Sequence, residues 1–225
     1  MPLQPSLHSL FIGRPKTLRD ERGTWRSSIC RDRVEGLVRV EPGSLTGDQV
    51  TDLKHHGTPD QAVCVHLLDH YRFWNERYGI ALEPGSLGEN FVLDGITEEE
   101  VCAGDVVAVG SAVFQVSAPR VPCSTQSRRV GRKDWVKLTV RENRTGFYLR
   151  VLQPGAVQPG DAWELRERLN PEGTIPALNR VMYLEFDPDF ADRVARMPGL
   201  VPWWSEQLAQ KAVQQAKHWT AGMQG

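Results

Sequence analysis

The stretch Asp105-Val106-Val107-Ala108-Val109-Gly110-Ser111-Ala112-Val113-Phe114-Gln115-Val116-Ser117-Ala118-Pro119-Arg120-Val121-Pro122-Cys123 sets the reading of this chain. Two apolar runs of strand length, Asp105 to Val109 and Ala112 to Ser117, are divided by the turn signal Val109-Gly110-Ser111. The second run leaves through Pro119 and Pro122, which stiffen the backbone and remove two N–H donors. So rigid an exit projects Cys123 from the end of a sheet into a cleft.

Outward from this stretch the same pattern holds from Leu7 to about Gly160. Ser9 to Ile12, Ser27 to Ile29, Gly36 to Val40, Ala62 to Val65, Phe91 to Leu93 and Tyr148 to Leu152 read as further strands. Gly13-Arg14-Pro15, Pro42-Gly43, Asp94-Gly95 and Gln153-Pro154-Gly155 separate them. Many short strands at such spacing predict a mainly β (α+β) fold, a β-barrel with interspersed helices. Leu67, Tyr71, Trp74 and Tyr78 share one helical face that Gly79 ends, and Lys133 to Arg144 is a second helical segment. After Asp161 the composition changes, and Thr174 to Phe186, Pro188 to Met197 and Trp203 to Ala216 read as three short helices. Two domains are therefore expected, a barrel over residues 1–165 and a three-helix unit over 174–217, with a fragment cut after Arg168 staying folded. Trp203 and Trp204 read as core anchors of the tail, and docking in a homodimer is their other use.

With 27 basic and 28 acidic residues the chain as a whole is no polyanion binder. No apolar run approaches a membrane span, and no basic segment leads into an apolar one at the N-terminus, so a cytoplasmic location is expected. Cys30, Cys64, Cys102 and Cys123 stand singly, without a CxxC pair. From Arg120 to Arg150 there are nine basic and two acidic residues, the clearest charge asymmetry in the chain. Cations beside a thiol favour its thiolate, the form that ligates a soft metal. A buried cysteine next to a solvated basic helix is the plainer reading of the same residues. Apart from Trp135 the basic stretch lacks interleaved aromatics, which argues against a nucleic-acid polymer as partner.

A second constellation runs from Lys54 through His55, His56, Gly57, Thr58, Pro59 and Asp60 to Ala62, with a lysine, two imidazoles and a carboxylate in one loop. That mix suits neutralising an anion or orienting a metal-bound group. Gly88-Glu89-Asn90 adds a glycine turn entering a strand. His66-Leu67-Leu68-Asp69-His70 imitates a zinc-binding helix, although no third ligand is evident. Neither a dinucleotide fingerprint nor a phosphate-binding loop occurs.

Taken together and in order, Gly47-Asp48, Lys54 through Ala62, Gly88-Glu89-Asn90, Gly104-Asp105, Gln115 through Cys123, Gly146 through Val151 and Gly155 to Asp161 resemble the MOSC family (molybdenum cofactor sulfurase C-terminal domain). The resemblance covers residues 7 to 165, and the tail looks like the three-helix segment that follows in one bacterial branch. It implies a β-barrel-like fold whose cysteine, Cys123 here, binds molybdenum of the molybdenum cofactor (molybdopterin) or carries sulfur. It further implies catalytic roles for Cys123, Asp60 and His56, and cofactor binding by Lys54, Glu89, Asn90, Ser117, Arg120 and Arg150. Relatives reduce N-hydroxylated bases and amidoximes. That activity needs a small-molecule substrate and an external flavin or iron–sulfur electron-donor protein, since neither kind of motif is present. Two positions depart from the family pattern. Thr58 stands where a second glycine is usual, and His66 replaces an aromatic. An oxidoreductase, a non-catalytic cofactor or sulfur carrier, and a scaffold without cofactor all remain open from the sequence.

Overall fold

A computed structural model describes residues 4–54 and 56–222. Thirteen strands and six α-helices are present among these residues. The opening stretch forms an antiparallel hairpin, β9 (Val106–Val109) and β10 (Ala112–Pro119), at the heart of a mixed sheet. Across β10 lies β11 (Phe147–Gln153), followed by β7 (Val63–Leu67), β8 (Phe91–Asp94), β1 (Ser6–Ile12) and β4 (Asp32–Val34). On the far side of β9 the edge is β13 (Trp163–Glu167). All neighbours are antiparallel except β7 and β8, whose parallel pairing is made possible by the crossover helix α1 (Leu68–Tyr78).

The expected barrel is not closed. The eight strands form an open sheet from β13 to β4, and its two sides meet only locally, where the Ser6–Ala162 bridge and the bonds from Leu7 N–H to Asp161 O, Gly160 N–H to Leu7 O and Trp163 N–H to Pro5 O tie β1 to the start of β13. The physical reason lies at the edges: β4 is three residues long, and β13 presents a largely charged, exposed face that does not pair onward. Two small sheets flank this frame. One holds β12 (Gly155–Val157), β5 (Val38–Glu41) and β6 (Ser44–Leu45), and the other is the hairpin of β2 (Lys16–Asp20) and β3 (Gly23–Ser27). The strand expected at Ser27 to Ile29 is thus shifted back to Gly23–Ser27.

The main core lies under the large sheet, where Phe91 and Phe114 meet edge to face with ring centroids 5.8 Å apart. A second cluster joins α1 to α3 (Trp135–Arg141), with Trp74 and Trp135 both fully buried and 4.9 Å apart. The helix between Cys123 and that segment, α2 (Ser124–Val130), was not evident in the sequence because it carries no apolar stripe.

The tail is helical as expected: α4 (Ile175–Asn179) runs into a π-helical turn at Arg180–Leu184, then come α5 (Pro188–Val194) and α6 (Pro202–Gly222). Thr174 caps α4 through its hydroxyl, and Pro202 opens α6. Trp204 is fully buried among the helices, whereas Trp203 is partly exposed. These helices share their cluster with Ala103 and Ala118 of the sheet, and Ile175 belongs to the main core. The division near residues 165–173 stands as a proposal, and cooperative unfolding of a fragment ending at Arg168 is the result that would establish it.

Candidate functional site

Cys123 stands at the start of α2, in extended backbone, where the Pro119–Pro122 exit delivers it. Its N–H donates to the side-chain oxygen of Gln126 at 3.3 Å, and Gln126 in turn reaches the Leu87 carbonyl. The thiol opens onto a cavity of about 230 Å³ whose wall includes His56, Gln61, Cys64, Asn90, Arg120 and Tyr148. Trp25, Arg26 and Ser27 of the β2–β3 hairpin form another wall, with Arg31, Asp48, Thr51 and Asp52 between.

Arg120 is the feature that decides the electrostatics. It is 6% exposed, and its backbone N–H donates to Gly146 O. Its guanidinium donates through Nη1 to His66 Nε2 at 2.9 Å, and no carboxylate hydrogen-bonds to it among the described residues. Glu89 acts on Arg120 through its charge, together with Cys64, Tyr148 and Cys123. The Glu89 oxygens are taken by Tyr71 Oη and by the N–H groups of Gly85 and Leu87. A buried cation without a hydrogen-bonded counter-ion is costly unless the cavity supplies an anion. Gly88, at φ +79°, makes room for Ile29, which a Cβ there would meet at 2.8 Å, while the Arg120 guanidinium would stay in ordinary contact at 3.6 Å.

The sequence-named residues separate into two groups. Cys123, His56, Asn90 and Arg120 line the cavity. Asp60, Ser117 and Arg150 come together behind it as a pin. Arg150 donates to Asp60 Oδ1 at 2.8 Å and to Gln115 Oε1 at 2.9 Å, while the Ser117 hydroxyl donates to Asp60 O. This pin fixes the 3-10 turn Pro59–Gln61, from which Gln61 faces the cavity. Thr58 takes an ordinary extended conformation (φ −75°, ψ 154°), so the lost glycine needs no left-handed backbone. Glu89 is fully buried and braces its own turn, and Lys54 is exposed outside the cavity wall. His55 lies outside the described residues.

Beyond Arg120, the basic run does not make the cavity positive. Arg128 grips Asp20 and Gly23 O, Arg132 pairs with Asp134, Arg141 with Glu142, and Arg144 with Asp69. Cations at the cavity come instead from Arg120, Arg26 and Arg31, of which Arg31 pairs with Asp48 and donates to Gly88 O. Arg26, Arg31 and Cys64 escaped sequence reading. Gly47-Asp48, already in the motif set, was the one available signal for this wall.

The zinc reading of His66 and His70 is overturned. It required one helix across both residues, yet His66 lies within strand β7 and α1 begins at Leu68. Both rings are 1% exposed, and no cluster of three or more His, Cys, Asp or Glu suited to a metal exists among the described residues. His70 Nε2 instead faces Glu98 Oε2 at 3.7 Å. Burial pushes the Glu98 carboxyl up to about 8 and holds the His70 imidazole down to about 3. The folded pair therefore holds one proton between those values. In the unfolded chain the two groups titrate near 4.5 and 6.5. From pH 4.5 to 6.5 both states hold one proton and stability is level. From 6.5 to 8 the folded state holds one more, so stability falls as pH rises, by at most about 1.4 kcal/mol per unit. Urea unfolding across that window is expected to show the decline, and Glu98→Gln to abolish it.

Comparison with known proteins agrees with this geometry. The MOSC domain matches residues 52–164. The chain is 38% identical over 178 residues to the uncharacterized protein YflK of Bacillus subtilis (strain 168), covering 79% of this chain and 80% of that one. It is 32% identical over 164 residues to a protein named reductase from Gibberella moniliformis, covering 71% of this chain but 29% of that protein. The crystal structure of YiiM from Geobacillus stearothermophilus superposes with a TM-score of 0.77 at 32% identity, covering 92% of this chain and 98% of that one. No helix among the described residues is long and apolar enough to cross a membrane. On its sequence match over half its length, and on its likeness to these relatives, the chain belongs to the MOSC domain family.

Proposed function

We propose that this protein binds the molybdenum cofactor in the Cys123 cavity and reduces N-hydroxylated small molecules there. The observation that carries the reading is the juxtaposition of a thiol and a buried, carboxylate-free guanidinium on one cavity. The donor set fits the group. Cys123 is a soft ligand for molybdenum, and because no protein cluster could hold a metal alone among the described residues, the remaining ligands come with the cofactor. Arg120 and Arg31 would face its anionic parts. When bound, the cofactor supplies the two-electron redox chemistry that N–O cleavage requires.

The chain's own residues bind, orient and protonate. Reducing R–NHOH to R–NH₂ consumes two electrons and two protons and releases water. His56, on the cavity wall, holds a proton for the departing oxygen. Asp60 does not touch the cavity; it keeps the Pro59–Gln61 turn in place through Arg150. Asn90 spends its side chain on Cys64 N and Phe11 O, so it holds β7 and β1 in register around the thiols. Electrons come from an external donor protein. The name reductase carried by the Gibberella protein, of which the match spans 29%, accords with a reductive reaction.

Anaerobically purified protein, with reduced viologen dye as electron donor, is expected to convert an N-hydroxylated base or amidoxime to the amine or amidine. Full molybdenum and pterin content without turnover would overturn the reductase reading in favour of a cofactor carrier.

A further inference from the structure

His66 departs from the family's usual aromatic, and the structure gives it a partner that an aromatic cannot serve. Its Nε2 receives the Arg120 Nη1–H at 2.9 Å. A guanidinium only donates, so Nε2 is the acceptor and the neutral ring carries its proton on Nδ1. Burial first, then the charge of Arg120 and the nearby His70, keep this imidazole from protonating. The ring cannot slide away from the guanidinium. Gly146, at φ +78°, packs against it so closely that a Cβ would meet His66 Nε2 at 2.9 Å as well as the Val65 carbonyl. The Gly146 carbonyl receives the Arg120 backbone N–H, so one glycine braces both partners.

What lies behind the pair matters equally. His70 stands edge to face with His66, ring centroids 5.8 Å apart, and Tyr71 flanks it at 6.4 Å. His70 faces Glu98, and beyond them Glu99, Arg141, Glu142, Arg144 and Arg180 line a second, outer cavity. The His70–Glu98 pair is neutral as a unit, so it adds no counter-charge behind His66, and Glu89 is the carboxylate whose charge reaches Arg120.

We propose that His66 is a positioning residue for Arg120, fixing the guanidinium so that it binds a phosphate-type anionic group of a ligand in the Cys123 cavity. This rests on the reading above that the cavity takes an anionic cofactor. Removing the acceptor frees a long side chain and strands its buried N–H. A hydrogen bond to a charged group is worth roughly 1.5–3 kcal/mol, so anion affinity should fall about tenfold or more.

The test is a pyrophosphate titration of the full chain, followed through the side-chain resonance of Arg120, with thermal melts on the same samples. His66→Phe is expected to bind pyrophosphate at least about tenfold more weakly than the native chain. His66→Gln, whose amide oxygen can accept from Nη1, is expected to recover to within about threefold. That rescue is not expected if His66 serves only to fill space. His66→Leu is the second apolar variant, so a folding failure of one leaves the comparison intact. Equal affinity in the native chain and the apolar variants would overturn the positioning role and leave the anion site standing. A native chain that shows no saturable response would overturn the anion site and, with it, this inference.

Discussion

Cys123→Ala is expected to lose molybdenum almost completely while melting within about 2 °C of the native protein. The thiol is partly exposed at the cavity edge, so replacing it removes little buried apolar surface and leaves no sizeable void. Its backbone N–H still reaches the Gln126 side chain, so that half of the capping box at the start of α2 is kept, and only the weak sulfur contact with the Gln126 N–H is lost. Loss of metal with the fold intact is therefore the pattern to look for, measured as molybdenum per polypeptide by elemental analysis after expression in a cofactor-producing host. Cys64 on the same wall provides the internal control. Burial pushes its thiol up, which disfavours the ligating form. Full occupancy in Cys123→Ala would refute the assignment of the ligand.

Trp135→Ala is expected to do the opposite, lowering unfolding free energy by about 3–5 kcal/mol. Its ring is fully buried against Trp74 and locks α3 onto α1, with Phe11, Leu87 and Val92 in the same cluster. Truncation leaves a cavity bounded by several secondary-structure elements, which cannot all move inward to fill it. Since a domain of ordinary stability has about 5–15 kcal/mol in hand, much of the reserve would go. Leu87 also receives the Gln126 side chain, so the damage reaches the segment presenting Cys123. Denaturant unfolding reads the first effect and metal content the second. A loss below about 1 kcal/mol would show that the cluster collapses around the gap.

Much of the frame was legible because its strands are apolar on the scale of single residues. Val106–Val109, Ala112–Pro119 and Val63–Leu67 are buried along most of their length, so their composition announces them. Lys16–Asp20 and Trp163–Glu167 are mostly polar and were not visible: the first is half of a flanking hairpin, and the second is an edge. At the site, the local motifs located Cys123, His56, Asn90 and Arg120. Net charge along the chain misled, because an arginine's target is set by tertiary approach: Arg128 meets Asp20 from 108 residues away, and Arg144 meets Asp69 from 75. Arg31 was hidden for the same reason, since the fold brings it to Asp48, which the motif set already contained.

The β2–β3 hairpin pairs with no strand of the other two sheets, and a lone two-stranded hairpin has little stability of its own. Besides the Lys16–Asp32 pair to β4, its hold on the body runs through Arg128 of α2, which pairs with Asp20, donates to Gly23 O and stacks over Trp25 at 4.6 Å. The helix that starts beside Cys123 thus fastens the flap that walls the cavity. Such a clasp governs rates more than equilibria. Ionic strength, which screens the partly exposed pair, should hasten both loading and escape of whatever the cavity holds, with little change in the ratio of the two.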